Sequence, residues 1–176
     1  MIKKLQRKFV FLSMSAFLLV LTIIITGINI VNYRGVIQEA DMLLSAINEE
    51  KELFPIEPEK LWDRLPPGMS PEIPYESRYF SIVIENISNQ ILFVETSRII
   101  SVDQETAIDY ANIARNSNNS AGFIQNFRYQ IHYENYFTRI TFLDCGRKLD
   151  AFQSFMFASI GISLFGYLIV FALIAF

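Results

Sequence analysis

Two Arg-Tyr dipeptides, Arg78-Tyr79 and Arg128-Tyr129, are the residues of this sequence whose types best suit recognition chemistry. A guanidinium presents a planar fork of donors to an anion, and a phenol adds a ring face and a hydroxyl. Together the four would engage an anionic or aromatic ligand; the plainer alternative is surface arginines beside core tyrosines. Catalytic patterns are missing. The sequence has no phosphate-cradling glycine loop, no G-x-S-x-G, no H-E-x-x-H and no paired cysteines. His132 is the single histidine and cannot build a His-rich metal site. Cys145 is the single cysteine, which excludes an intramolecular disulfide and ligation by several thiolates. A thiol at a strand end and a disulfide between two copies of the chain both remain open for it. Glu49, Glu50 and Glu52 read as a solvated helix end. Catalytic and metal residues are therefore assigned to none.

The elements that must position the two dipeptides are strands. Arg78 to Glu85 (RYFSIVIE) and Gln90 to Glu95 (QILFVE) are aromatic and β-branched, and Asn86 to Asn89 joins them as a hairpin. Farther on, Phe123, Phe127, Tyr129, Ile131 and Tyr133 share one alternation phase, with Asn126, Arg128, Gln130, His132 and Glu134 in the other. That period of two predicts one strand with a buried face and a wet face. Glu134-Asn135 turns it into Tyr136 to Asp144 (YFTRITFLD). Between the hairpins, Ser101 to about Arg115 predicts a helix, with Ser101 and Gln104 as a capping box and Ile108, Ala111 and Ala114 as a narrow apolar face. Residues 55–74 hold all six prolines, which forbids a regular helix or central strand there, although Glu59 to Leu65 fits a turn or two with Trp62 and Leu65 inward.

Charge divides the chain sharply. All 18 acidic residues lie between Glu39 and Asp150, whereas Lys3, Lys4, Arg7 and Lys8 crowd the start. The middle is mildly acidic without a basic cluster, which argues against nucleic acid as a partner. Phe9 to Val31 and Phe152 to Phe176 carry no charge over 23 and 25 residues. At ~1.5 Å per residue the shorter run gives about 34 Å of helix, sufficient for a ~30 Å hydrocarbon core. The first run is longer than a signal-peptide apolar region and no A-x-A-like site follows it, so an uncleaved anchor is expected. Basic residues remain on the cytoplasmic side, which puts the N-terminus inside and the middle outside. After the first run, Val36, Ile37, Ala40, Leu43, Leu44 and Ile47 fall on one face, extending the helix from about Tyr33 to Phe54. That stripe would bury against a domain core or a partner copy. In the second run, Ser154 with Ala158 and Ser159 with Ser163 have the four-residue spacing that permits close helix approach.

The expected architecture is α+β: two transmembrane helices flank a small extracytoplasmic domain, an antiparallel sheet of about four strands with helices on one face. The segments are a basic cytoplasmic tail at 1–8, a first span at 9–31, the domain at 32–151, and a second span at 152–176.

This layout resembles the N-terminal input region of bacterial membrane-bound two-component sensor histidine kinases over essentially the whole chain. The basic start MIKKLQRKFV, the stretch AGFIQNFRYQI (Ala121 to Ile131) and the stretch ITFLDCGRKLD (Ile140 to Asp150) carry the local likeness. The order of helix, hairpin, helix and sheet also resembles PAS-like extracytoplasmic sensors. The resemblance implies a fragment of a longer receptor in the cell membrane. Its other implied partners are a second copy of the chain, the lipid bilayer and a response regulator. ATP and Mg are implied only for a kinase domain absent here. His132, on the outer side in a strand, is not the phosphoacceptor of such a kinase. Rival readings keep the layout but feed a chemoreceptor or cyclic-dinucleotide output, or make the chain a non-catalytic accessory protein.

Overall fold

The computed structural model describes residues 2–49 and 57–175, with side chains for 8–49 and 57–174. The chain divides into two units, Met1–Gly35 with Lys148–Phe176, and Val36–Arg147.

The first unit is a helix pair. It comprises most of α1 (Ile2–Asn48) and of α5 (Gly146–Ala175). Phe17 stacks on Tyr167 at 6.3 Å, Asn29 Nδ2 donates to Ser159 Oγ at 3.5 Å, and Tyr33 meets Phe152 at 5.5 Å. Contacts that rise in number along one helix fall along the other, so the pair is antiparallel. Ser159 and Ser163 are half-buried, whereas Ser154 and Ala158 are exposed; the four-residue spacing that matters is the later one. Both helices are long and apolar enough to cross a membrane, and few residues of their most apolar stretches are buried by the protein itself.

The second unit is α+β. Two short helices, α2 (Pro58–Trp62) and α3 (Ile73–Glu76), each carry proline in the first turn, where its missing N–H costs nothing. They precede β1 (Tyr79–Glu85) and β2 (Ile91–Glu95), then α4 (Gln104–Asn116), β3 (Ala121–Ile124), β4 (Phe127–Tyr133) and β5 (Phe137–Asp144). The sheet is antiparallel throughout, in the order β2-β1-β5-β4-β3. Its register sets Phe80, Phe142 and Tyr129 side by side on one face, and Tyr79, Leu143 and Arg128 side by side on the other.

The first face packs under α4. Ala107, Ala111 and Ala114 bring the helix close to Phe80, Ile82, Ile131, Ile140 and Phe142. Phe80 stacks on Phe142 at 4.6 Å and meets Phe127 edge-on at 5.4 Å. Such ring pairs contribute about 0.5–1.5 kcal/mol beyond burial. Asp103 caps α4, its carboxylate accepting from the Thr106 N–H at 2.8 Å, so the cap lies two residues beyond the expected Ser101–Gln104 box.

The second face is covered too, by the end of α1. Ala40, Leu43, Leu44 and Ile47 are buried, which is the stripe expected from their spacing, and it buries against its own sheet. The expectation of helices on one face is thus corrected: α4 and the end of α1 occupy opposite faces. The arginine-rich second face looked solvent-facing in sequence because its cover lies about 90 residues earlier in the chain.

Three further expectations change. The sheet has five strands, because Gln125, at φ 51°, and Asn126 break the long alternation into a two-residue hairpin, β3–β4. Phe123 consequently pairs with Arg128 and shares its face, on the other side of the sheet from Phe127. Tyr133 is exposed at the strand end, and Trp62 is exposed while its neighbour Leu61 is buried. The expected continuation of α1 to Phe54, with Glu50, Glu52 and the stop at Pro55, lies outside the described residues.

Candidate functional site

The four residues singled out by type do not converge. Register puts Tyr129 on the α4 face and Tyr79 and Arg128 on the α1 face. Tyr129 is a core residue: its hydroxyl and the Ser117 Oγ share a hydrogen bond at 2.6 Å, and its ring covers Gly122 so closely that an added Cβ would lie 2.8–3.0 Å from it. Arg78 pairs with Asp144 at 2.8 Å, and the same carboxylate accepts from the Gly146 N–H at 2.8 Å. This joins the start of β1 to the junction between β5 and α5.

Tyr79 is sealed on the α1 face. The Arg98 guanidinium lies 5.4 Å from its ring centroid and also donates to the Pro74 carbonyl at 3.2 Å. Burial pushes the Tyr79 hydroxyl above the ordinary phenol value; Arg98 and Arg139 pull the other way and Glu95 adds to the rise. Glu95 and Arg139 are themselves buried on that face. The Tyr79 hydroxyl meets no hydrogen-bond partner among the described residues.

Arg128 is where one dipeptide meets a partner that spacing did not reveal. Its Nε and Nη2 donate to the two oxygens of Asp41 at 2.7 and 3.0 Å, a two-pronged pair, and its guanidinium also lies 5.1 Å from the Phe123 ring centroid. About two turns on, Asn48 completes the attachment of α1. Thr141 Oγ1 donates to Asn48 Oδ1 at 2.6 Å, and Asn48 Nδ2 donates to Gln130 Oε1 at 3.0 Å. Gln130 also reaches Ser45 at 3.4 Å. Asp41, Ser45 and Asn48 thus form a polar seam, three and four residues apart, beside the apolar stripe of α1. It matches Arg128, Gln130 and Thr141 on adjacent strands β4 and β5. Only the position of Asn48, in phase with Leu44 on an otherwise apolar face, hinted at this in sequence.

The remaining candidates are quieter. His132 is half-exposed and lies 3.4 Å from Glu134. Cys145 is buried between β5 and α5, its N–H donating to the Asn126 carbonyl at 2.9 Å; with the thiol enclosed, a disulfide between copies would require this junction to open. Among the described residues no group of three or more His, Cys, Asp or Glu side chains is placed to hold a metal. One helix is keyed to the sheet by side chains, while α5 follows the central strand after a single residue.

No protein-family model, curated protein or solved structure matches the chain.

Proposed function

We propose that this chain is the signal-input module of a membrane sensor histidine kinase, passing an extracytoplasmic or membrane stimulus to a cytoplasmic kinase. The observation that carries this reading is the double connection of the sheet. α1 holds a 23-residue charge-free run and then, within the same helix, the seam of Asp41 and Asn48. α5 begins at Gly146, directly after the central strand ends at Asp144. A change in the sheet therefore has two routes into long apolar helices. The strand order and the helix across one face support a PAS-like domain, and the basic residues at the N-terminus support an outer position for it. A second copy of the chain, packed along the uncovered helix surfaces, would complete the receptor, and a response regulator would receive the output. A stimulus shifts such a module only by its difference in affinity for two states.

The test has two parts. A phosphoacceptor-histidine helix and an ATP-binding domain encoded after Phe176 support the kinase; a stop codon, or a chemoreceptor or cyclic-dinucleotide domain, overturns it. In membranes, Asn29→Cys with Ser159→Cys, in a Cys145→Ser background, should cross-link within one chain if the antiparallel pair forms there. No cross-link would count against two paired spans.

A further inference from the structure

The sheet has one end at which the chain both enters and leaves. α1 is a single helix that runs alongside β4, with Asp41 at Arg128 near the start of that strand and Asn48 at Gln130 farther along it. Val36 therefore lies toward the end where β4 starts, and β5 finishes at that end and gives way to α5 at Gly146. From Val31, the last residue of the first charge-free run, to Val36 is five helical steps; from Gly146 to Phe152, where the second run starts, is six. At ~1.5 Å per residue these give about 8 and 9 Å, against a headgroup layer of roughly 5–7 Å on each side of a hydrocarbon core. In a chain whose two runs span a bilayer, both connections hold this end of the sheet within a few ångströms of the headgroups.

We infer that the loop joining β2 to α4 is a membrane foot, with Ile100 entering the outer leaflet and Tyr75 resting at headgroup depth. The inference rests on the two spans of the proposed reading and deepens it by naming lipid as a partner of the outer domain.

Position is the first reason. β2 ends at Glu95, opposite Ser81, and so runs toward the same end, where β1 begins at Tyr79. The loop that follows is pinned on both sides of its tip. Ile99 and Val102 are buried in the core beneath α4, whereas Ile100 between them is fully exposed, at 103%. A lone exposed isoleucine is ordinary; Ile100 is distinguished by standing at the end of the sheet that both long helices join. Tyr75 is exposed four residues before β1, and Arg98 fastens its segment to the loop by donating to the Pro74 carbonyl at 3.2 Å.

Charge is the second. Residues 96–102 (TSRIISV) hold no carboxylate, and the one cation among them, Arg98, is engaged with Pro74 and the Tyr79 ring. Glu95 and Asp103 bound the loop, and each carboxylate is turned to a backbone N–H, of Ser97 and of Thr106, at 2.8 Å. Arg78, at the start of β1, is paired with Asp144. Glu72 and Glu76, both exposed on either side of Tyr75, limit its depth. Their carboxylates stay in water, so Tyr75 stops at the headgroups, the level that suits a ring with a polar tip.

The experiment is site-directed fluorescence on the full chain in phosphatidylcholine vesicles, with single cysteines carrying an environment-sensitive dye in a Cys145→Ser background. The Ile100→Cys label should emit to the blue and lose emission when the lipid is brominated near the headgroup end of its acyl chains. Ile87→Cys is the control. It replaces the same residue type, 89% exposed, in the β1–β2 turn at the opposite end of the sheet, and its label should emit as in water and keep its emission. Leu19→Cys, within the first charge-free run, should be quenched by lipid brominated deep in the chain. Ile100→Asp, with an unchanged melting curve, should move a Tyr75→Cys label toward water, and Ile100→Leu should leave that label in place. A quenched Leu19 label with an Ile100 label as wet as that at Ile87 would overturn the foot and leave the spans standing. An unquenched Leu19 label would overturn the spans and the foot with them. A blue Ile100 label that brominated lipid does not quench would mean cover by protein, a second copy included, and would overturn the lipid assignment, as would a Tyr75 label unmoved by Ile100→Asp.

Discussion

Replacing Thr141 by valine isolates one buried hydrogen bond in the attachment of α1. Thr141 is fully buried and Asn48 nearly so, at 0% and 3% exposure, so water has little access to either. Valine keeps the shape and removes the donor, leaving Asn48 Oδ1 buried without the bond it receives at 2.6 Å. An orphaned buried acceptor costs about 1–3 kcal/mol, more than the ~1 kcal/mol net value of an ordinary hydrogen bond. A loss of about 2 kcal/mol is expected, which for a domain of this size lowers Tm by roughly 8 °C. Asn48→Ala should cost at least as much, because Gln130 loses its donor as well. The decisive comparison is the cycle. Thr141→Val with Asn48→Leu removes both ends of the bond and fills the space, and should be less destabilised than the two single changes together by about 1 kcal/mol or more. The assay is chemical denaturation of the chain in micelles, with hydrogen exchange read at the amides of Ala40 to Asn48. Additive effects, or unchanged protection of those amides in Thr141→Val, would refute the seam as the fastening of α1.

Three further outcomes are expected. Asp103 has its carboxyl held below the ordinary value by the Thr106 hydrogen bonds, so its contribution is present above the unfolded pKa and lost as pH falls through the folded one. Asp103→Asn should keep the cap and flatten that part of the acid profile in pH-dependent melts. Tyr79 has the opposite sign at the other end of the scale. Its folded pKa is raised, so its contribution disappears as pH rises through it, and Tyr79→Phe should be neutral to stabilising at pH 7 and more resistant to alkaline unfolding. Gly122→Ala should destabilise by about 1–3 kcal/mol, since its methyl would press on the buried Tyr129 ring; a crystal structure or ring-proton shifts would show Tyr129 displaced from Ser117.

Sequence pattern located most elements: α4 and the end of α1 each bury one face, and β1 and β5 are runs rich in aromatic and β-branched residues. β1, β2 and β5 lie within a residue or two of where the sequence put them, the strand expected from Phe123 to Tyr133 is split into β3 and β4, and Ala40, Leu43, Leu44 and Ile47 of the α1 stripe are buried as their spacing required. The break at Gln125-Asn126 escaped notice because neither residue is a glycine; the left-handed φ is supplied by glutamine, a poor turn signal. The second face was misjudged for a different cause. Arg128, Gln130 and Thr141 look wet when read along their own strands, and only Asp41 and Asn48, 87 and 93 residues away from Arg128 and Thr141, make them interior. For the same reason the two Arg-Tyr dipeptides could not be separated into seam and core.

The central strand β5 is also the last strand in the chain. During synthesis β1–β2 and β3–β4 can each close as hairpins, but no strand hydrogen-bonds to both until Phe137 to Asp144 arrives. Up to that moment Phe80, Ile82, Tyr129 and Ile131 belong to two half-sheets with bare inner edges, the kind that recruit foreign strands. Because α5 begins at Gly146, the residues that complete the sheet are followed at once by the helix that carries the apolar run. β5 is therefore a keystone set at the end of construction. A pause before Phe137 would leave a sticky intermediate, and a pause after Cys145 would leave a finished sheet.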